Sequence, residues 1–415
     1  MATRETTPGA ILPPPRMTTG KVGWIRNNLF SSPSNGATTI IVAALTLYLL
    51  WLFVDWAFGT ADWSVIPTLG GTLVLGQYNS DSVCPSNDCF WRPQASLLIA
   101  MTYFGILWAV AATTLVRGVA LTTAFVAAAM ALLPLPFDEM GMDVRLLLVA
   151  NIPAVFLGRW LGRNTPVGST RNLIIIAFVG FITVYFLLRG IEGVPGLYPV
   201  PSRFWGGLML NILLAAGGIT ASLPIGIMLA LGRRSNLPVV KMLCIGFIEF
   251  FRGVPLITLL FMSQTLVPLA FPRDFPLDEV TRAGIVITMF SAAYMAENIR
   301  GGLQALHRGQ TEAARALGLP PWNTTTFITL PQALRNVVPA IVGQYISLYK
   351  DTTLVFIIGM LDILHMGSSF IGSNREFLPH SRELFLFIAL VFWVFNYGMS
   401  YVSRRVERNL GVGER

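Results

Sequence analysis

The chain has 415 residues, 54% of them hydrophobic and only 12% charged, and a formal net charge of +8. Soluble domains carry about 25% charged residues, so the composition excludes an ordinary soluble domain. The positive charge is not a nucleic-acid footprint either, because Lys and Arg sit in short loops and tails beside apolar runs, several of which reach the roughly 20 residues needed to cross a bilayer as helix. The chain therefore reads as an all-α polytopic membrane protein.

In chain order, residues 1–36 hold Pro13-Pro14-Pro15 and scattered basic residues, which predicts a flexible cytoplasmic tail. The first apolar run begins near Thr39, too far in for an ordinary signal peptide. Ten spans are predicted at roughly 37–58, 95–116, 118–136, 144–161, 172–189, 206–231, 239–269, 281–303, 331–351 and 383–403. With both termini in the cytoplasm, Arg117, Arg159, Arg163, Arg171, Arg233, Arg234, Lys241, His307, Arg308, Arg315, Arg404, Arg405 and Arg408 all fall on the cytoplasmic side. The outer loops then carry Asp62, Asp81, Asp88, Asp138, Glu139, Asp143, Glu192, Asp274, Asp278 and Glu279. The run Leu354–His365 is short and interrupted by Gly359 and Asp362, so it is expected to be a partial helix on the outer side.

Two halves follow. Residues 37–204 hold five spans and an outer loop with no chemical motif; a lipid-facing belt, a brace and a docking surface all remain open for them. Residues 205–412 hold five spans and a cytoplasmic loop at 305–331. The halves share no motif and no fixed repeat. Cys84 and Cys89 lie in the acidic outer loop, where they form either a disulfide, stabilising a small loop by about 2 kcal/mol, or two free thiols. No His accompanies them, which disfavours a metal site. Cys244 sits within a span as a packing residue.

Charges inside hydrocarbon are costly and usually functional. Three places qualify. In Phe247–Pro255, Glu249 and Arg252 are three apart, hence on one helix face and able to pair, and Gly253 and Pro255 break the helix beside them. In Tyr294–Gly302, Glu297 and Arg300 again lie one turn apart next to Asn298, and Gly301-Gly302 permit close helix packing. Each pair is either a structural staple or a solute contact, since a zwitterion needs a cation for its carboxylate and an acceptor for its ammonium. Lys350-Asp351 ends the ninth span as a gate or a helix cap. Gln264, Asn211 and Gln344 are polar residues within spans, read mainly as interhelical hydrogen bonds.

The loop at 312–331 carries the most information. Glu312-Ala313-Ala314 opens a helix that Gly318 and Pro320-Pro321 end, and a second short segment is expected to stop at Pro331. Two small helices meeting at a corner outside the membrane make a knob suited to a groove on a partner. The spacing resembles the coupling loop of the permease subunits of ATP-binding-cassette importers: Glu-Ala-Ala, Gly318 three residues on, then Ile328, Leu330 and Pro331. The runs Glu249-x-x-Arg252-Gly253-x-Pro255, Tyr294-x-x-Glu297-x-x-Arg300-Gly301-Gly302 and Lys350-Asp351-Thr352 resemble the polar amino-acid branch of that family. The long N-terminal half is similar to that of the larger permease of general L-amino-acid importers of Gram-negative bacteria.

The resemblance implies a type I importer core at 205–412 in the bacterial inner membrane, importing L-amino acids of broad, polar or acidic type. It implies a second, homologous permease as heterodimer partner, two ATPase subunits in the cytoplasm and a periplasmic binding protein. ATP and Mg would be held by the ATPases and no cofactor by this chain. Glu312, Ala313, Ala314, Gly318, Pro320, Leu330 and Pro331 would transmit the ATPase motion. Glu249, Arg252, Gln264, Tyr294, Glu297, Asn298, Arg300, Lys350 and Asp351 are candidates for the substrate path. No Gly-x-x-x-x-Gly-Lys-Ser/Thr phosphate loop is present, so the chain is not expected to hydrolyse ATP itself. The alternative is a secondary transporter driven by an ion gradient, which would call for inverted repeats.

Overall fold

The structure is a computed structural model describing residues 20–79, 89, 91–111, 117, 120–121, 124, 142–194, 197–270, 277–373 and 377–410. The predicted third span falls almost wholly outside these residues, as do Cys84 and residues 1–19. The chain divides into two compact units, residues 1–62 and 63–415.

In the first unit, α1 (Gly20–Asn28) precedes α2 (Pro33–Asp55), which runs on as a π-turn through Thr60. Residues 20–28 thus form a helix inside the predicted tail. It is tied down locally: the Thr39 hydroxyl donates to the Leu29 carbonyl at 2.8 Å. Ser32 caps α2 by accepting from the Asn35 amide at 3.2 Å, and Pro33 occupies the first turn, where its missing N–H costs nothing.

The second unit opens with α3 (Val65–Leu75), where the sequence suggested only an outer loop. Eleven residues are too few to span, but Val65, Leu69 and Leu73 at four-residue spacing bury one stripe against Ile363, Ile371, Leu384 and Ile388. Beyond it, Gly76 (φ +64°) pairs its backbone with Trp205, and an added Cβ would collide with the backbone of Gly206.

Helices α4 (Trp91–Ala111), α5 (Met142–Val149), α6 (Asn151–Asn164) and α7 (Thr170–Arg189) follow. The sequence 158–162 is Gly-x-x-x-Gly, and α4 and α6 touch backbone to backbone there: a Cβ on Gly105 or Gly158 would strike Val155 O or Thr102 O. α7 packs Phe181 onto Gly217 of α8 (Gly207–Arg233).

The predicted seventh span is instead two helices, α9 (Pro238–Gly253) and α10 (Leu256–Thr265), which with the short α11 (Val267–Ala270) meet at 104°. The break lies at Gly253-Val254-Pro255, where Pro255 has no N–H to continue the ladder. α12 (Glu279–Gln304) packs along α8 and α15 (Leu330–Asp351). A 3-10 turn (Thr352–Ile358) and left-handed Gly359 (φ +82°) lead to α16 (Ile363–Ser373) and α17 (Ser381–Leu410). The expected partial helix at 354–365 is therefore divided: its first part is the 3-10 turn and its last residues start α16. Asp362 explains the division, since its carboxylate accepts the His365 amide at 2.9 Å and caps α16.

Buried polar groups fix these elements. Asn211 of α8 donates to Thr352 Oγ1 at 3.1 Å and accepts the Ile363 amide at 3.1 Å, while Gly207 N donates to Leu361 O at 2.7 Å. Among the described residues, five helices are long and apolar enough to cross a membrane, and the bent pair adds a sixth if counted as one span. α12, α15 and the predicted fourth span at 144–161 are outside that count: the fourth is divided into the short helices α5 and α6, while α12 and α15 are long enough but charged and polar side chains lower their hydropathy.

Candidate functional site

Two assemblies occupy one end of the α8–α15 bundle. The first is a knot of charge. Glu297, on α12, accepts from Arg300 Nε at 3.0 Å and Nη2 at 2.7 Å, one turn along the same helix. Arg233, the last residue of α8, donates to the other carboxylate oxygen at 2.8 Å. Arg252, at the end of α9, lies 3.7 Å from Glu297 and 5.5 Å over the ring of Tyr294. Arg233 also reaches Glu249 at 3.0 Å.

The structure thus brings Glu249, Arg252, Glu297 and Arg300 together, with one pairing different from that expected. Arg252 turns to Glu297 across helices, and Glu249 finds Arg233 instead of Arg252. Glu297 is the better partner because its carboxylate is largely withdrawn from water (13% exposed) whereas that of Glu249 is 55% exposed. Three guanidiniums meet two carboxylates, leaving one positive charge in excess. Arg233 gives no signal as an intramembrane charge in the sequence, because it is the last residue of its helix and lies beyond the apolar run. Asn298 is half-buried beside the knot. Under it, Ala230, Ile248, Met295, Ala296, Ile299 and Ala333 form a buried apolar floor, and Gly302 admits the backbone of α15, since a Cβ would lie 2.7 Å from Ala333 O.

Gln264 and the Lys350-Asp351 pair lie elsewhere. Gln264 accepts from Arg282 Nη2 at 2.9 Å and donates to Glu279 O at 3.0 Å, at the opposite end of α12. Lys350-Asp351 closes α15, where Thr352 and Thr353 hydroxyls donate back to Tyr349 O at 2.7 Å and Lys350 O at 2.8 Å. The substrate-path candidates do not form one cluster. Of the predicted disulfide, Cys84 lies outside the described residues; Cys89 is buried and disulfide-bonded, and Cys244 is free.

The second assembly is the loop. α13 (Gly309–Ala316) carries Glu312, Ala313 and Ala314, and only Ala314 is buried. It ends in a Schellman motif: Leu319 N donates to Ala314 O at 3.1 Å and Gly318 N to Arg315 O at 2.9 Å, with Gly318 at φ +73°. Pro320 caps α14 (Pro321–Asn323). From there the helix does not stop at Pro331. A π-segment, Thr324–Thr329, passes directly into α15, and Pro331 sits in its first turn, where a proline costs no hydrogen bond. Leu330 packs against the apolar floor of the knot. Leu317, Trp322 and Phe327 stand 80%, 70% and 73% exposed on the loop, a signal present in the sequence as large apolar residues in a polar stretch.

The fold and these two assemblies define a multi-pass α-helical membrane protein with a helical knob joined to its core by a continuous helical path. Residues 222–412 match the family model described as binding-protein-dependent transport system inner membrane component. The chain is 35% identical to the inner membrane amino-acid ABC transporter permease protein YhdY of Escherichia coli strain K12, covering 94% of this chain and 93% of that one. It is 33% identical to the glutamate/glutamine/aspartate/asparagine transport system permease protein BztC of Rhodobacter capsulatus, covering 96% and 95%. A crystal structure of an amino acid ABC transporter with histidines is 26% identical over 48% of this chain and 90% of that one, with a TM-score of 0.43.

The chain belongs to the family of inner membrane components of binding-protein-dependent transport systems. That membership sets aside the ion-gradient alternative: such systems are built around an ATPase and a binding protein.

Proposed function

We propose that the chain is the permease subunit of an ATP-driven importer that carries L-amino acids, of polar and acidic type, from periplasm to cytoplasm. The observation that carries the coupling step is the loop: three large apolar side chains exposed on a helical knob whose far end is continuous with α15. A groove on an ATPase subunit would cover Leu317, Trp322 and Phe327, and burial of such side chains contributes about 1.5–3 kcal/mol each. Because α14, the π-segment and α15 form one unbroken helical path, a push on the knob moves α15 as a rigid rod. Glu312, Ala313, Ala314, Gly318, Pro320, Leu330 and Pro331 shape that knob and its junction.

The solute class rests on the two full-length relatives, whose names specify amino acids. The charge knot supports it chemically: its excess guanidinium can take a solute carboxylate, and Glu297 or Glu249 can accept from an ammonium. In this reading the chain pairs with a second, homologous permease, two ATPases bind ATP and Mg in the cytoplasm, and both termini of this chain are cytoplasmic.

The test is purification of the chain from solubilised membranes, followed by ATPase assay with and without a binding protein loaded with L-glutamate. Co-purification of an ATPase stimulated by the loaded binding protein is the expected result. A chain that emerges without an ATPase removes the coupling role.

A further inference from the structure

The N-terminal region has no part in the scheme above, yet α4, α6 and α7 concentrate charge at one end. Arg159 of α6 lies with its guanidinium 3.8 Å from the ring centroid of Trp108, a buried residue of α4. Arg117, just beyond α4, approaches the same ring at 5.7 Å. Two cations thus converge on one indole from two segments, each gaining from the ring face and repelling the other. Among the described residues, the charges nearest to Arg159 are those of Arg163 and Arg117, both cations. Among the described residues, none of Arg117, Arg159, Arg163 and Arg171 forms an ion pair. The sequence has no Asp or Glu between residues 92 and 137 or between 144 and 191, so no carboxylate is at hand along these helices.

The backbone adds to this field. α7 starts at the same end: the turn Pro166–Gly168 packs against α4, with a Cβ on Gly168 placed 3.0 Å from Val110. The amino end of a 20-residue helix therefore points its partial positive charge to the arginine side. The cluster is held on a stiff base, because α4 and α6 contact through Gly105, Gly158 and Gly162. Its flank is apolar: Phe156, Leu157 and Trp160 of α6 are exposed. A cationic cluster bordered by exposed aromatic and aliphatic side chains at a helix end fits a molecule with an anionic head and acyl chains.

We infer that Arg117, Arg159 and Arg163, organised on Trp108, form a binding site for the phosphate headgroup of an anionic phospholipid, with its acyl chains along Phe156, Leu157 and Trp160. The positive-inside bias alone scatters cations along loops. Here two of them share one buried ring with no counter-charge among the described residues, so a bound phosphate relieves a repulsion that packing has imposed. The proposal does not rest on the importer reading, and its test does not involve transport.

The experiment is native mass spectrometry of the full chain in its detergent-extracted complex, reading the phospholipid retained through delipidation. Wild type is expected to retain phosphatidylglycerol or cardiolipin. The triple variant Arg117→Gln, Arg159→Gln, Arg163→Gln should retain at least five-fold less, and Arg203→Gln, at the other end of the bundle, should match wild type. Equal retention by the triple variant and wild type overturns the site. If the triple variant does not fold, Arg163→Gln alone, at an exposed position, is read instead, with a two-fold loss expected and no loss overturning. Thermal-shift titration of the delipidated complex identifies the source of the phosphate. Stabilisation by phosphatidylglycerol vesicles but not by phosphatidylcholine vesicles or inorganic phosphate supports the lipid; an equal shift with either comparator overturns it.

Discussion

Glu297 concentrates the energetics of the core in one carboxylate. Breaking a buried charge pair from one side leaves the partner desolvated and typically costs 3–5 kcal/mol. Glu297→Gln leaves Arg252 and Arg300 without a carboxylate while Arg233 keeps Glu249, and all three are partly exposed, so the complex in detergent is expected to lose about 2 kcal/mol of stability and to show altered uptake kinetics with the ATPase still bound. Arg233→Gln should cost clearly less, because Arg252 and Arg300 remain on Glu297. Equal melting temperatures for Glu297→Gln and wild type would remove the knot as a structural element. At the other pole, Tyr78 is fully buried with its hydroxyl donating to Leu188 O at 2.9 Å, and burial pushes its pKa up to about 12 from 10. The folded pKa is raised, so the stabilisation is complete below pH 10 and is lost as pH rises towards 12. Melting temperature should fall across that window, and Tyr78→Phe should flatten part of the fall; an unchanged slope counts against it. Glu297 and Asn211 were legible in the sequence, as charged and polar groups within apolar runs, whereas Arg233 and Tyr78, outside those runs, were not. Nor were the pairings legible, because Glu297 meets Arg233 across 64 positions and Asn211 meets Asp362 across 151.

At the scale of elements, the loop shows how local chemistry can be read and where it stops. Gly318 ended α13 as its φ > 0 requirement dictates, and Glu312–Ala314 formed the helix before it. The ninth span begins at Pro331 as expected, since proline is barred from helix interiors but not from first turns, but the short segment before it runs on into that span instead of stopping there. A Cβ on Gly318 would meet nothing within 4 Å, so Gly318→Asp changes the left-handed turn and the docking face without disturbing the core. The turn itself costs about 1–2 kcal/mol for a side chain. Gly318→Asp and Glu312→Lys should each abolish uptake while leaving membrane insertion intact. Normal uptake by either would sink the coupling role. α3 was missed for a different reason: an 11-residue apolar run is too short to span, and only its burial against α16 and α17 gives it a place.

For the molecule as a whole, the charge bias predicts the orientation: Arg117, Arg159, Arg163, Arg233 and the 305–331 loop are expected on the cytoplasmic side and Glu192 on the outer one. Cysteine substitutions labelled with a membrane-impermeant thiol reagent check this: Glu192→Cys should react from outside intact cells, and Trp322→Cys only after the membrane is opened. The reverse pattern would invert the topology and place the knob away from any ATPase.

By itself, the sequence determined that the chain is helical and membrane-embedded, which end carries the knob, and which family motifs it bears. Those are properties of hydropathy, of charge bias and of short spacings, each set within a few turns of chain. Only the tertiary structure decided that 239–269 bends by 104°, that α3 belongs to the packed unit, and that three arginines share Glu297. Long-range pairing depends on which helix ends are brought together, and the pattern of one chain segment carries no record of its distant neighbour.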